Sequence, residues 1–180
     1  MNIFATDTDP RKAARDLCDR HVPKMIVESA QMLCSVHPAG AAPYRRCFVN
    51  HPCTLWTAAS VGNYMWLVDH ADEMCREYSS RWGSRTHKTQ EVIAWARANI
   101  PSLPDLGVTP FAMAMPDQYK SQDPVHSYRL YYCREKSRFA HWADMAKVPR
   151  WYWAMCRELE IGFRNSCPEL DQLMAATEAR

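Results

Sequence analysis

Apolar side chains recur every three or four residues through most of this chain, and the two-residue alternation of a half-buried strand is scarce. Such a pattern folds as packed helices. The expectation is an all-α protein, a single compact helical domain over 1–180 with a core over about 1–153 and a helical tail over about 154–180. Prolines punctuate the helices. Asp9 and Pro10 read as an N-cap and a first helical position, opening a helix over about 10–19. Pro23 either begins a second helix or kinks a continuous one near His21, and this main helix reaches about Val36. Segment 37–43 is a loop by composition, and 44–50 is irregular. Over 52–82, Trp56, Tyr64, Trp66, Leu67 and Met74 suit a long or doubly segmented amphipathic helix, with Gly83 as its C-cap. Segments 87–100 and 124–142 read as further helices, and the apolar, Pro-rich stretch 101–116 as an ordered loop between them.

Composition narrows the class. With 47% apolar and 23% charged residues among 180, the chain is globular and not disordered. A net charge of +2 is too small to announce a nucleic-acid binder by itself. The eight cysteines include no C-x-x-C and no zinc-finger spacing, so reduced thiols in a cytoplasmic protein are the simplest account. No metal or cofactor is expected, although scattered Cys and His leave metal binding open. No basic-then-apolar leader is present and no apolar run approaches ~18 residues, so no membrane partner is expected.

Chemistry-bearing residues gather on the main helix. His21, Lys24, Glu28 and Gln31 fall three or four residues apart and share one face. That face is either a solvated stripe with an ordinary Lys–Glu pair or a site where a base, an amine and hydrogen-bonding groups converge. Asn50-His51-Pro52 lies at an element boundary, where both turn chemistry and functional residues gather. Trp151-Tyr152-Trp153 cannot all face one core. Flanked by Lys147 and Arg150, the triplet suits either base stacking beside phosphates or a docking edge for the C-terminal tail. Arg81, Arg85, His87 and Lys88, and separately Arg134, Lys136 and Arg138, are basic clusters that together could form a phosphate-binding surface.

These motifs resemble a family. Asp19-x-His21 followed by Glu28 is similar to the signature helix of the phage pyrimidine-dimer DNA glycosylases of the endonuclease V type. Tyr44 with Asn50-His51-Pro52 and Trp56 resembles a Y-x-x-HP-x-x-x-W pattern of their bacterial relatives, and Glu77 ahead of Arg81-Trp82-Gly83 and His87 resembles an E-x-x-x-R-G-x-x-H region. Pro149-Arg150-Trp151-Tyr152 resembles the family's C-terminal P-x-W-Y element. The matches run in order across most of 19–152.

The resemblance implies a compact helical enzyme acting on double-stranded DNA or a nucleotide: a glycosylase with possible AP-lyase activity on a damaged or modified pyrimidine. In that family an N-terminal amine attacks C1′ of the damaged nucleotide and forms an imine. As a class, α-amines titrate near pH ~8, so a useful fraction is nucleophilic at cellular pH. Carried over, Glu28 is the carboxylate that moves protons, His21 a neighbouring helix histidine, and Met1 the source of the amine. Lys24 is an alternative amine one turn before Glu28. Asn2, Gln31, Asn50, His51, Arg150, Trp151 and Tyr152 are the expected substrate-binding residues, lining one cleft with Glu28. Two departures stand out: Val27 and Gln31 replace family arginines, and Asn2 is a poor context for methionine removal. Another reaction on a modified base, or DNA binding without catalysis, stays open.

Overall fold

The computed structural model describes residues 1–162, which form seven α-helices and two short 3-10 turns, with no strand among the described residues. The helices are α1 (Pro10–Arg15), α2 (His21–Val36), α3 (Pro52–Ala59), α4 (Val61–Arg81), α5 (Gln90–Ala98), α6 (Pro124–Lys136) and α7 (Arg150–Glu158). The all-α expectation holds. None of these helices is long and apolar enough to cross a membrane.

Local chemistry sets the boundaries. Asp9 caps α1 by accepting the Arg11 N–H at 2.8 Å. The helix stops at Arg15, short of the expected 19, because the next backbone groups have other partners: the Cys18 N–H donates to the Tyr132 hydroxyl and the Asp19 N–H to the His141 carbonyl. Pro23 occupies the first turn of α2, where a backbone N–H has no helical acceptor, so it opens the helix rather than kinking it. Segment 52–82 is doubly segmented. Ser60 is extended between α3 and α4, and its hydroxyl caps α4 through Asn63 N–H. Helix α6 ends at Lys136 rather than near 142, as the chain turns so that Phe139 and Ala140 N–H both reach the Lys136 carbonyl. Helix α7 straddles the expected boundary between core and tail near 153, and 163–180, including the expected break near Pro168, lies outside the described residues.

Helix α4 is the hub and packs against α1, α2, α3 and α5. Segment 101–116 is ordered because it is bolted to the α3–α4 corner. Ser60 Oγ donates to the Gly107 carbonyl at 2.6 Å, and Asn63 exchanges hydrogen bonds with Thr109, each 2.8 Å. A Cβ at Gly62 would lie 2.1 Å from the Gly107 carbonyl carbon, so only glycine admits this approach. The same segment runs on to Ala114, whose carbonyl accepts the Asn2 side-chain amide at 2.9 Å. The N-terminus is thereby held against the core, with Ile3, Phe4, Ala5 and Thr6 all buried.

Candidate active site

The N-terminal segment bends back onto α2. Phe4 adopts a left-handed backbone (φ 38°), and Asn2 Oδ1 accepts the Phe4 N–H at 2.8 Å, closing a tight turn. This turn places the Met1 nitrogen 3.8 Å from Glu28 Oε2 and the Asn2 N–H at 3.1 Å from the same oxygen. On the other side, Lys24 Nζ lies 2.7 Å from Glu28 Oε1. The Glu28 carboxylate is mostly buried, at 14% exposure, and is ringed by nitrogen.

These groups open into a cleft of about 660 Å³. Arg20, Lys24, Lys136 and Arg138 supply its cations, concentrating positive charge around one carboxylate on a nearly neutral protein. Phe4, Tyr131 and Phe139 give it an aromatic wall. Phe4 and Tyr131 are stacked with centroids 6.3 Å apart, and the Arg20 guanidinium lies over Phe139 at 5.0 Å.

His21 lies in the wall, stacked on Phe4 at 4.8 Å. Burial, with Lys24, Lys136 and Arg20 nearby, lowers its imidazole to about 3, so it is neutral at physiological pH. Its Nδ1 lies 2.6 Å from the Tyr132 hydroxyl, which also accepts the Cys18 N–H. Burial raises Tyr132 well above the ordinary phenol range, so it keeps its proton. His21 is therefore a neutral imidazole held by a phenol at Nδ1 rather than a titrating base.

His51 caps α3, its Nδ1 accepting the Cys53 N–H at 3.2 Å. Burial lowers its pKa, the Met1 ammonium adds to that, and Glu28 opposes it, so His51 stands within the field of the same groups. Gln31 follows Glu28 by one turn and is half-buried, and Asn50 is exposed beside His51. Asn2 spends both ends of its side chain on the protein, binding Phe4 N–H and the Ala114 carbonyl.

The structure therefore brings Met1, Asn2, His21, Lys24 and Glu28 into one cleft, with His51 at an adjoining corner. It does not bring Gln31, Asn50, Arg150, Trp151 or Tyr152 into that lining. Tyr152 is fully buried and packs on Trp142, while Trp151 donates its indole N–H to Asp16 at 2.7 Å under the Arg129 guanidinium. Arg150 is exposed at the start of α7. The triplet lies on α7 itself, with Tyr152 and Trp153 buried and Trp151 half-buried. The aromatic side chains that line the cleft are instead Phe4, Tyr131 and Phe139. The signal was the interleaving of Tyr131 and Phe139 with Lys136 and Arg138. Arg81 is likewise structural. Its guanidinium is 4% exposed and binds Glu77, Asp19 and the Leu17 carbonyl, joining α4 to the α1–α2 turn.

No curated protein and no solved structure matches the chain. The family model described as pyrimidine dimer DNA glycosylase matches residues 1–91, which contain Met1, Glu28, His51 and every cleft residue from the N-terminal half but not Tyr131, Lys136, Arg138 or Phe139. By that match, over half of its length, this chain belongs to the pyrimidine dimer DNA glycosylase family.

Proposed function

We propose that the protein is a DNA glycosylase with AP-lyase activity, acting on a damaged or modified pyrimidine in double-stranded DNA through a terminal amine and Glu28. The observation that carries this reading is the pair of backbone nitrogens at 3.8 and 3.1 Å from Glu28 Oε2. A neutral amine forms a bond to C1′ as the C1′–base bond breaks, and the departing base takes the electron pair. Glu28 accepts the proton that the amine loses. Opening of the sugar ring gives the imine. Loss of a C2′ proton then eliminates the 3′ phosphate, and water releases the amine. The basic rim of Arg20, Lys24, Lys136 and Arg138 suits flanking phosphates. The aromatic wall suits an extruded base, beside which His21 presents a neutral imidazole.

Borohydride reduction during incubation with a pyrimidine-dimer duplex tests the reading. A covalent protein–DNA adduct is expected, with peptide mapping placing it on the N-terminal amine. An adduct on Lys24 would move the nucleophile but keep the reaction. Release of free base without an adduct would indicate water as nucleophile, and no product with salt-dependent binding would indicate a DNA-binding protein.

A further inference from the structure

The loop between α2 and α3 carries an aromatic residue that the fold does not use. Phe48 is 65% exposed and holds a left-handed backbone, φ 49°. A side-chain-bearing residue in this region is strained, and the strain persists only where the surroundings impose it. Here they do. The neighbouring Cys47 N–H donates to Ser35 Oγ at 3.0 Å, that hydroxyl lies 2.9 Å from the Cys47 carbonyl, and the Phe48 carbonyl accepts the His51 N–H at 2.9 Å. Both sides of Phe48 are clamped while its ring stands in solvent.

Its position ties it to the cleft. Ser35 follows Glu28 by seven residues on α2, or ~10 Å along the helix axis. Three residues beyond Phe48, His51 lies in the field of the Met1 ammonium and Glu28. Arg45 and Arg46, both exposed, precede it and place positive charge on the same loop.

We infer that Phe48 is a wedge that inserts between base pairs of duplex DNA beside the reacting nucleotide and holds the stack open. The inference rests on the reading of the Glu28 cleft as a DNA site. An apolar ring on a rigid, basic loop is the form such wedges take, because the ring must enter the stack without collapsing onto its own protein.

The test uses the full chain carrying Glu28→Gln, so that no chemistry intervenes, and a duplex with 2-aminopurine beside a non-cleavable abasic analogue. With Phe48 present, binding should raise the 2-aminopurine fluorescence roughly threefold or more as the base unstacks. Phe48→Ala and Phe48→Gly should bring it close to the free-duplex level, and Phe48→Leu should retain part of it. Thermal melting separates wedge from scaffold: Phe48→Gly suits the left-handed backbone and should melt no lower than the parent while losing the signal. An equal rise with Phe48→Ala, or no rise with Phe48 present, overturns the proposal. If the unsubstituted protein forms neither free base nor imine while the Phe48-dependent rise persists, the glycosylase reading fails and the wedge stands. If chemistry occurs with a Phe48-independent rise, the wedge alone fails.

Discussion

The Asn2 N–H donates to Glu28 Oε2 at 3.1 Å across 26 residues of sequence, one position inside the Met1 nitrogen that lies 3.8 Å from the same oxygen. With Met1 retained, the Met1 amine stands beside the carboxylate, and with Met1 removed, the Asn2 nitrogen becomes the terminal amine at the same oxygen. Glu28→Gln keeps the shape of the site and removes the proton acceptor. Product formation should fall by about 10²-fold or more with duplex affinity changed by less than roughly threefold, measured by single-turnover cleavage and equilibrium binding. A matching loss of affinity would mean that Glu28 organises the fold rather than the reaction.

Asn2→Ala tests the turn that aims the amine. It deletes the acceptor for Phe4 N–H and the donor to the Ala114 carbonyl, at a cost of about 1–2 kcal/mol in unfolding free energy. Because a misplaced nucleophile loses its orientation, single-turnover cleavage should slow by roughly 10- to 100-fold. An unchanged rate with the expected fall in stability would show that the amine does not act.

Asp16 governs a pH effect away from the cleft. Burial raises its carboxyl to about 6, against the opposing pull of the Thr6 hydroxyl, the Trp151 indole N–H and Arg129. Its folded pKa lies above the ordinary 3.8, so the folded state holds a proton that the unfolded chain releases. The stability that this proton confers is present below about 4 and is lost as pH rises through 6. Asp16→Asn keeps an acceptor for both donors and avoids the ionisation. It should be more stable than the parent above pH 6 by roughly 1–3 kcal/mol, and about equal to it near pH 4, by urea unfolding.

His21 works in the opposite direction. With its folded pKa held to about 3 by burial, it resists a proton that the unfolded chain accepts, so its contribution weakens stability as pH falls below about 6.5. For the reaction, no His21 ionisation should shape the pH–rate profile between 5 and 8. Tyr132→Phe removes the partner of His21 Nδ1 and of Cys18 N–H and should destabilise the fold by about 1–3 kcal/mol. A pH–rate step that moves with Tyr132→Phe would show that His21 titrates after all.

Gly62→Ala measures how firmly segment 101–116 is docked. The new Cβ would meet the Gly107 backbone at 2.1 Å, and neither backbone can yield alone. A loss of about 3 kcal/mol or more is expected in chemical unfolding. Cleavage should fall as well, since this segment carries the Ala114 carbonyl that anchors Asn2.

The starts of α1, α3 and α6 and the helix face that bears the site were determined by sequence alone. Asp9-Pro10, His51-Pro52 and Asp123-Pro124 act through their own backbone, and all three acidic or imidazole residues cap the helices that follow them. His21, Lys24 and Glu28 share a face because 3.6 residues make a turn, whatever packs around them. Only the tertiary structure decided what that face meets. The left-handed turn at Phe4 and the Gly62–Gly107 approach bring the N-terminus and segment 101–116 to Glu28, and neither leaves a periodic trace. Tyr131 and Tyr152 look alike as aromatic residues on amphipathic helices, yet one lines the cleft and the other is sealed beneath α7. Periodicity fixes the direction of a side chain from its own helix axis, whereas exposure depends on which distant segment covers it.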